Sequence, residues 1–108
     1  MNLRELKKLL PFWQNILNLP EWNIIVRWGT HKELGDCVGR NYFSPEELSS
    51  LILIDRKGDE IESTLVHELL HLVFDGHKNV DMIDQYDPMQ ERALNRTAAA
   101  MLKLVGRA

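Results

Sequence analysis

The sequence predicts an α+β domain in which helices pack on one face of a small three-stranded sheet. Three observations predict it. Helical hydrophobic periodicity occupies both ends of the chain, three short β-rich runs lie between them, and 108 residues suffice for one core and not two. Residues 1–108 are therefore read as a single domain. With 44% hydrophobic and 27% charged residues, the composition is that of a folded globular chain, which sets aside disordered and coiled-coil architectures. No run approaches the roughly 18 consecutive apolar residues of a membrane-spanning helix, and Lys7, Lys8 and Pro11 come too early for a secretion signal. A net charge of −3, from 13 basic and 16 acidic residues, argues against a nucleic-acid partner. The lone Cys37 permits no intrachain disulfide. That fits a cytoplasmic location and leaves packing or a bound ion to stabilise a small core.

Asn2 and Glu5 form a capping-box pattern, and Leu3, Leu6, Leu10, Trp13 and Leu17 recur at helical spacing, predicting a helix over 3–18. Pro11 kinks or restarts it, and Pro20 forbids its continuation. The segments 22–28, 37–43 and 51–55 are short runs rich in β-branched and aromatic residues, the signature of strands. Ser44-Pro45-Glu46-Glu47 reads as a turn, so the second and third strands pair antiparallel. Asp59, with Glu62 three positions on, opens a helix over 61–74 that closes at Gly76. Asp87, Pro88 and Gln90 supply an N-cap, a first-turn proline and a capping-box glutamine. The helix that follows runs from 88 to about 105 on an apolar stripe of Ala93, Leu94, Ala98, Met101, Leu102 and Val105, and closes at Gly106.

Helix 61–74 contains Val66-His67-Glu68-Leu69-Leu70-His71, the H-E-x-x-H pattern. Residues four apart lie one turn above each other, so His67 and His71 can present both imidazoles to one point, as two zinc ligands must. Glu68 sits one residue along, beside the metal and not on it, where its carboxylate can accept a proton from water that the metal has acidified. The plain alternative is a helix with two partly buried histidines. Its flanks, Leu65, Val66, Leu69, Leu70, Leu72, Val73 and Phe74, are so apolar that unpartnered imidazoles there would be costly.

A catalytic zinc site needs a third protein ligand and an open position. Glu91, twenty residues after His71 near the start of the last helix, and His77, six residues after His71, compete for that role. The acidic residues Asp75, Asp81, Asp84 and Asp87 offer further carboxylates, although such a run is ordinarily solvated surface. The Glu91 arrangement resembles the gluzincins, zinc metallopeptidases in which a "glutamate helix" follows the H-E-x-x-H helix. The element order looks most like their small single-domain form, the minigluzincins. That resemblance implies a zincin-like fold, one zinc per chain held by His67, His71 and Glu91, and Glu68 as general base. Where those enzymes place an acidic residue one turn after the ligand glutamate, this chain has Asn95, whose amide oxygen can still accept a histidine N–H. With His77 the spacing instead becomes that of metzincins, but Phe74 replaces their glycine. It is also similar to the three-histidine endoribonucleases that mature ribosomal RNA, but Glu68 replaces theirs.

The expectation is a zinc metallopeptidase that hydrolyses peptide bonds by metal-activated water. Its substrate, an extended peptide, would lie along edge strand 37–43, where Arg40, Asn41 and Tyr42 suit an edge facing solvent. A three-histidine metal-dependent ribonuclease (His67, His71, His77) and a non-catalytic zinc domain are the rivals. Cys37 is expected to be a small buried hydrophobe, and Trp13, Trp22 and Trp28 core or interface aromatics. His31 has no evident partner. Tyr86 is more readily structural than an oxyanion donor.

Overall fold

The side chain of Asn2 accepts from the Glu5 N–H at 2.9 Å while the Glu5 carboxylate accepts from the Asn2 N–H at 3.1 Å, so the expected capping box opens the first helix. The computed structural model describes residues 1–76 and 87–107. Helix α1 spans Leu3–Ile16 and carries Pro11 inside it without a break. It ends at Ile16, two residues before the expected 18 and four before Pro20, and Asn18 turns left-handed at φ 56°, a conformation asparagine tolerates. Strand β1 (Asn23–Trp28) follows. A single helical turn, α2 (His31–Leu34), which hydrophobic periodicity does not announce, comes next. Thr30 and Glu33 cap it reciprocally, a four-residue signal as clear as that of Asn2 and Glu5.

Strands β2 (Gly39–Ser44) and β3 (Ser49–Ile54) form the expected antiparallel hairpin, with Tyr42 opposite Leu51. The sheet order is β1-β3-β2, with β1 parallel to the central β3. Val26, Ile52 and Ile54 point into the core, where they meet Leu6 and Trp13 of α1. Helices α3 (Ile61–Asp75) and α4 (Pro88–Leu104) complete that core with Leu65, Val66 and Leu69, and with Leu94, Ala98 and Leu102. The three long helices thus share one core with the sheet, as expected. Leu34 of α2 lies apart from it, crowding Gly29 together with Leu53, whose side chain alternates away from Ile52 and Ile54.

Several local expectations are corrected. Strand β2 begins at Gly39, so Cys37 lies in the preceding turn, donating its N–H to the Leu34 carbonyl, and is exposed instead of buried. Arg40 and Tyr42 face outward, but Asn41 alternates to the opposite side and faces α3. The N-cap of α3 is Glu60 and not Asp59, and it makes no side-chain cap bond. Glu62, in the first turn of α3, does not cap it: its carboxylate accepts from Trp13 Nε1 and from Arg107 Nη1, each at 2.6 Å. Gly76 is the C-cap of α3, at an ordinary φ of −64°, and a side chain there would run into the Leu72 carbonyl and the Trp22 ring. On α4, Ala93 is exposed, whereas Leu94, Ala98 and Leu102 form the buried stripe. Trp13 and Trp22 are buried and Trp28 packs against the core, as aromatics in those places should. No helix among the described residues is long and apolar enough to cross a membrane.

The Val38 carbonyl accepts from the Asp55 N–H at 2.8 Å, which sets the phase of the hairpin. In an antiparallel ladder every second residue bonds the partner strand, so Gly39, Asn41 and Phe43 turn their backbone N–H and C=O away from β3. Strand β2 lies at an edge of the sheet, beside α3.

Candidate metal centre

One turn of α3 separates His67 from His71 and brings their rings to 5.1 Å between centroids. Helix α4 packs on α3 through Leu94 and Ala98, which places Glu91 opposite both rings. Its carboxylate spans them, with Oε2 2.8 Å from His67 Nε2 and Oε1 2.9 Å from His71 Nε2. Each of the three residues offers a ligand atom within 4.8 Å of the others, so the group can hold a metal ion.

The outer ring nitrogens are occupied as well. His67 Nδ1 lies 2.7 Å from Asn95 Oδ1 and His71 Nδ1 lies 2.9 Å from Asp75 Oδ2. All four ring nitrogens thus face oxygens that accept, while a neutral imidazole has one N–H to offer. On each neutral ring one nitrogen lone pair therefore meets an oxygen lone pair. Positive charge at the shared point relieves that conflict, whether as protons on the rings or as a metal cation. Two imidazole nitrogens and one carboxylate oxygen form a donor set that suits zinc. Tetrahedral ligands of zinc stand about 3.3 Å apart, and these three ligand atoms lie within 4.8 Å of one another.

Glu68 does not join the converging group, as its offset on the helix dictates. The residue, only 7% exposed, lines a cleft of about 290 Å³ together with His67, Glu91, Asn95 and the segment Cys37–Gly39 that leads into β2. Burial pushes its carboxyl above its ordinary value, partly offset by the neighbouring His71 and His67. Gly39 lets the start of β2 approach this carboxylate: a Cβ there would stand 3.2 Å from Glu68 Oε2. Asn41 Nδ2 donates to the Glu68 backbone carbonyl at 2.8 Å, and Ser50 Oγ donates to Asn41 Oδ1 at 2.6 Å. The sheet is thereby pinned to the turn of α3 that carries the motif.

The structure thus brings together His67, His71 and Glu91, with Glu68 beside them. His77, Asp81, Asp84 and Tyr86 lie outside the described residues. Asp87 is the N-cap of α4. Cys37 lines the cleft without belonging to the converging group. Asp75 is a correction: it is not solvated surface but 6% exposed, bonded to His71 and to Gln90 Nε2 at 2.8 Å. Its four-residue spacing from His71 on one helix was a usable signal. Gln90 is diverted from the expected capping box to this carboxylate. Asn41 and Ser50 reach α3 across the fold, and nothing in their local sequence announces it.

Compared with known families, curated proteins and solved structures, the chain matches no family model, no curated protein and no solved structure. What the site does follows from its side chains alone.

Proposed function

We propose that the chain is a zinc-dependent metallopeptidase of gluzincin type, with His67, His71 and Glu91 as ligands and Glu68 as general base. The observation that carries this is the convergence of two imidazole nitrogens and a carboxylate beside a second, buried carboxylate that takes no part in the cluster. Bound zinc supplies Lewis acidity, which polarises the scissile carbonyl and acidifies water. The remaining work belongs to the chain. Glu68, in the cleft and raised by burial, takes the proton from water and passes it to the leaving amine. Gly39 and Asn41, with backbone groups turned away from β3, are placed to bond an extended peptide as an added strand. Strand 39–44 therefore stands in for the expected edge 37–43 as the substrate platform, and no nucleic-acid partner is required.

The test is Glu68→Gln, which keeps shape while removing the base. Zinc content should be unchanged and cleavage of unstructured polypeptides should fall by about two orders of magnitude or more. Equal cleavage at equal zinc occupancy would remove Glu68 from the mechanism. Retained zinc in a variant lacking both His67 and His71 would remove the centre itself. A fourth protein ligand in a zinc-bound structure would turn the reading to a non-catalytic zinc domain.

A further inference from the structure

The two histidines are supported unequally. His67 has a neutral amide behind it, whereas His71 has a carboxylate. That carboxylate, Asp75, sits in the last turn of α3, where the helix dipole disfavours negative charge, and it is buried, where desolvation disfavours it again. An aspartate kept in so poor a place needs compensation. It has at least two partners, His71 Nδ1 on Oδ2 and the Gln90 amide, which donates to Oδ1.

We propose that Asp75 and Gln90 are positioning residues for the metal centre, forming a strut that sets the His71 ring and locks Glu91 to it. This rests on the reading of His67, His71 and Glu91 as ligands. The contacts make a closed circuit. His71 Nδ1 meets Asp75 Oδ2, Asp75 Oδ1 meets Gln90 Nε2, Gln90 is joined by its peptide bond to Glu91, and Glu91 Oε1 returns to His71 Nε2 at 2.9 Å. Asp75 holds the proton on Nδ1 and so aims the Nε2 lone pair at the point of convergence. Gln90, through the same carboxylate, fixes the first turn of α4 against the last turn of α3. The second histidine and the third ligand are thereby registered to each other by one side chain, although fifteen positions separate Asp75 from Gln90.

Substituting asparagine at Asp75 breaks the strut selectively. An amide has one accepting oxygen, so serving His71 turns its NH2 toward Gln90, which can meet it only by reversing its own amide, and the charge behind the imidazole is lost. The experiment measures zinc affinity by chelator competition for the full chain and for Asp75→Asn, Gln90→Ala and the double variant. Cobalt-substituted spectra and thermal unfolding without metal are recorded alongside. Asp75→Asn is expected to weaken zinc binding about 10- to 100-fold and to alter the cobalt bands, with Gln90→Ala weaker in the same direction. The double variant should lose less than the product of the two single losses, because Gln90 acts through Asp75. Gln90 is half-buried on α4, so Gln90→Ala keeps the test open if Asp75→Asn fails to fold. Unchanged affinity and unchanged cobalt spectra in folded Asp75→Asn and Gln90→Ala would overturn the strut and leave the metal reading standing. A wild-type chain that binds no zinc would overturn both.

Discussion

Gly39 carries no side chain because the space is taken. A Cβ there would lie 2.6 Å from Thr64 Cγ2 and 3.2 Å from Glu68 Oε2, and a β-branched threonine cannot swing far out of the way. Gly39→Ala should therefore cost about 1–3 kcal/mol in stability, as overpacking does, and push the Glu68 carboxylate out of place. Urea denaturation measures the first effect. With Glu68 as the proposed base, the second should appear as at least a roughly tenfold drop in kcat/KM at full zinc content, since small displacements of a general base are expensive. Undiminished cleavage would mean that the β2 side of the cleft does not set the position of Glu68. Glu91 and His77 offer a second residue-level contrast. Glu91 touches both motif histidines, so Glu91→Ala should weaken zinc binding more than His77→Ala, measured by chelator competition. The reverse ranking would favour a three-histidine centre.

At the scale of elements, α4 matters as the carrier of Glu91, and its seat is the buried Ala98, 0% exposed, flanked on the same stripe by Leu94 and Leu102. Ala98→Leu should lift α4 from the core, destabilising the fold by about 1–3 kcal/mol. It should also weaken zinc binding, although residue 98 is two turns from the ligand. Loss of stability with unchanged affinity would show that the first turn of α4 is held independently of its middle. The α2 turn makes a different prediction. Glu33 takes two hydrogen bonds from Arg27 and one from the Thr30 backbone, and these, with Arg27 first, hold its carboxyl down from 4.5 to about 2. A lowered folded-state value stabilises the native chain above the ordinary carboxylate range and is lost as pH falls from about 4.5 toward 2. Glu33→Gln should therefore flatten the decline of Tm across that interval. The pair is half-exposed, so the effect is small, and parallel Tm profiles would assign acid sensitivity elsewhere.

For the whole molecule, a metal at the proposed centre would tie α3 to α4 and add binding energy to folding energy. A ligand at 100 times its Kd contributes about 2.7 kcal/mol. For a domain of this size each kcal/mol is worth roughly 4–8 °C, so zinc should raise Tm by about 10 °C or more and a chelator should reverse it. His67→Ala and His71→Ala should abolish the rise, read by calorimetry with and without zinc. A second tie works without metal: Arg107, near the chain end, pairs with Glu62 and lies 4.6 Å over the Phe12 ring, joining the C-terminus to α1 and α3.

Local chemistry was legible from the sequence alone wherever the physical cause is local. Asn2 and Glu5 announced the start of α1, Asp87 and Pro88 the start of α4, and the four-residue spacing of His67 and His71 placed two imidazoles on one helical turn. The hairpin of β2 and β3 followed from its turn and its β-rich flanks. Thr30 and Glu33 carried the same kind of signal, which was missed because a single helical turn has no hydrophobic periodicity to draw attention to it. Other features were beyond a local reading. The parallel pairing of β1 with β3, the contact of Asn41 with the Glu68 carbonyl, the diversion of Glu62 to Trp13 and Arg107, and the burial of Asp75 against Gln90 all depend on residues far apart in the chain. Spacing alone named two imidazoles and a neighbouring carboxylate. That Glu91 faces them, with Asn95 and Asp75 behind the rings, was decided only when α4 packed against α3, because a side chain's partner is set by which surfaces the core brings into contact.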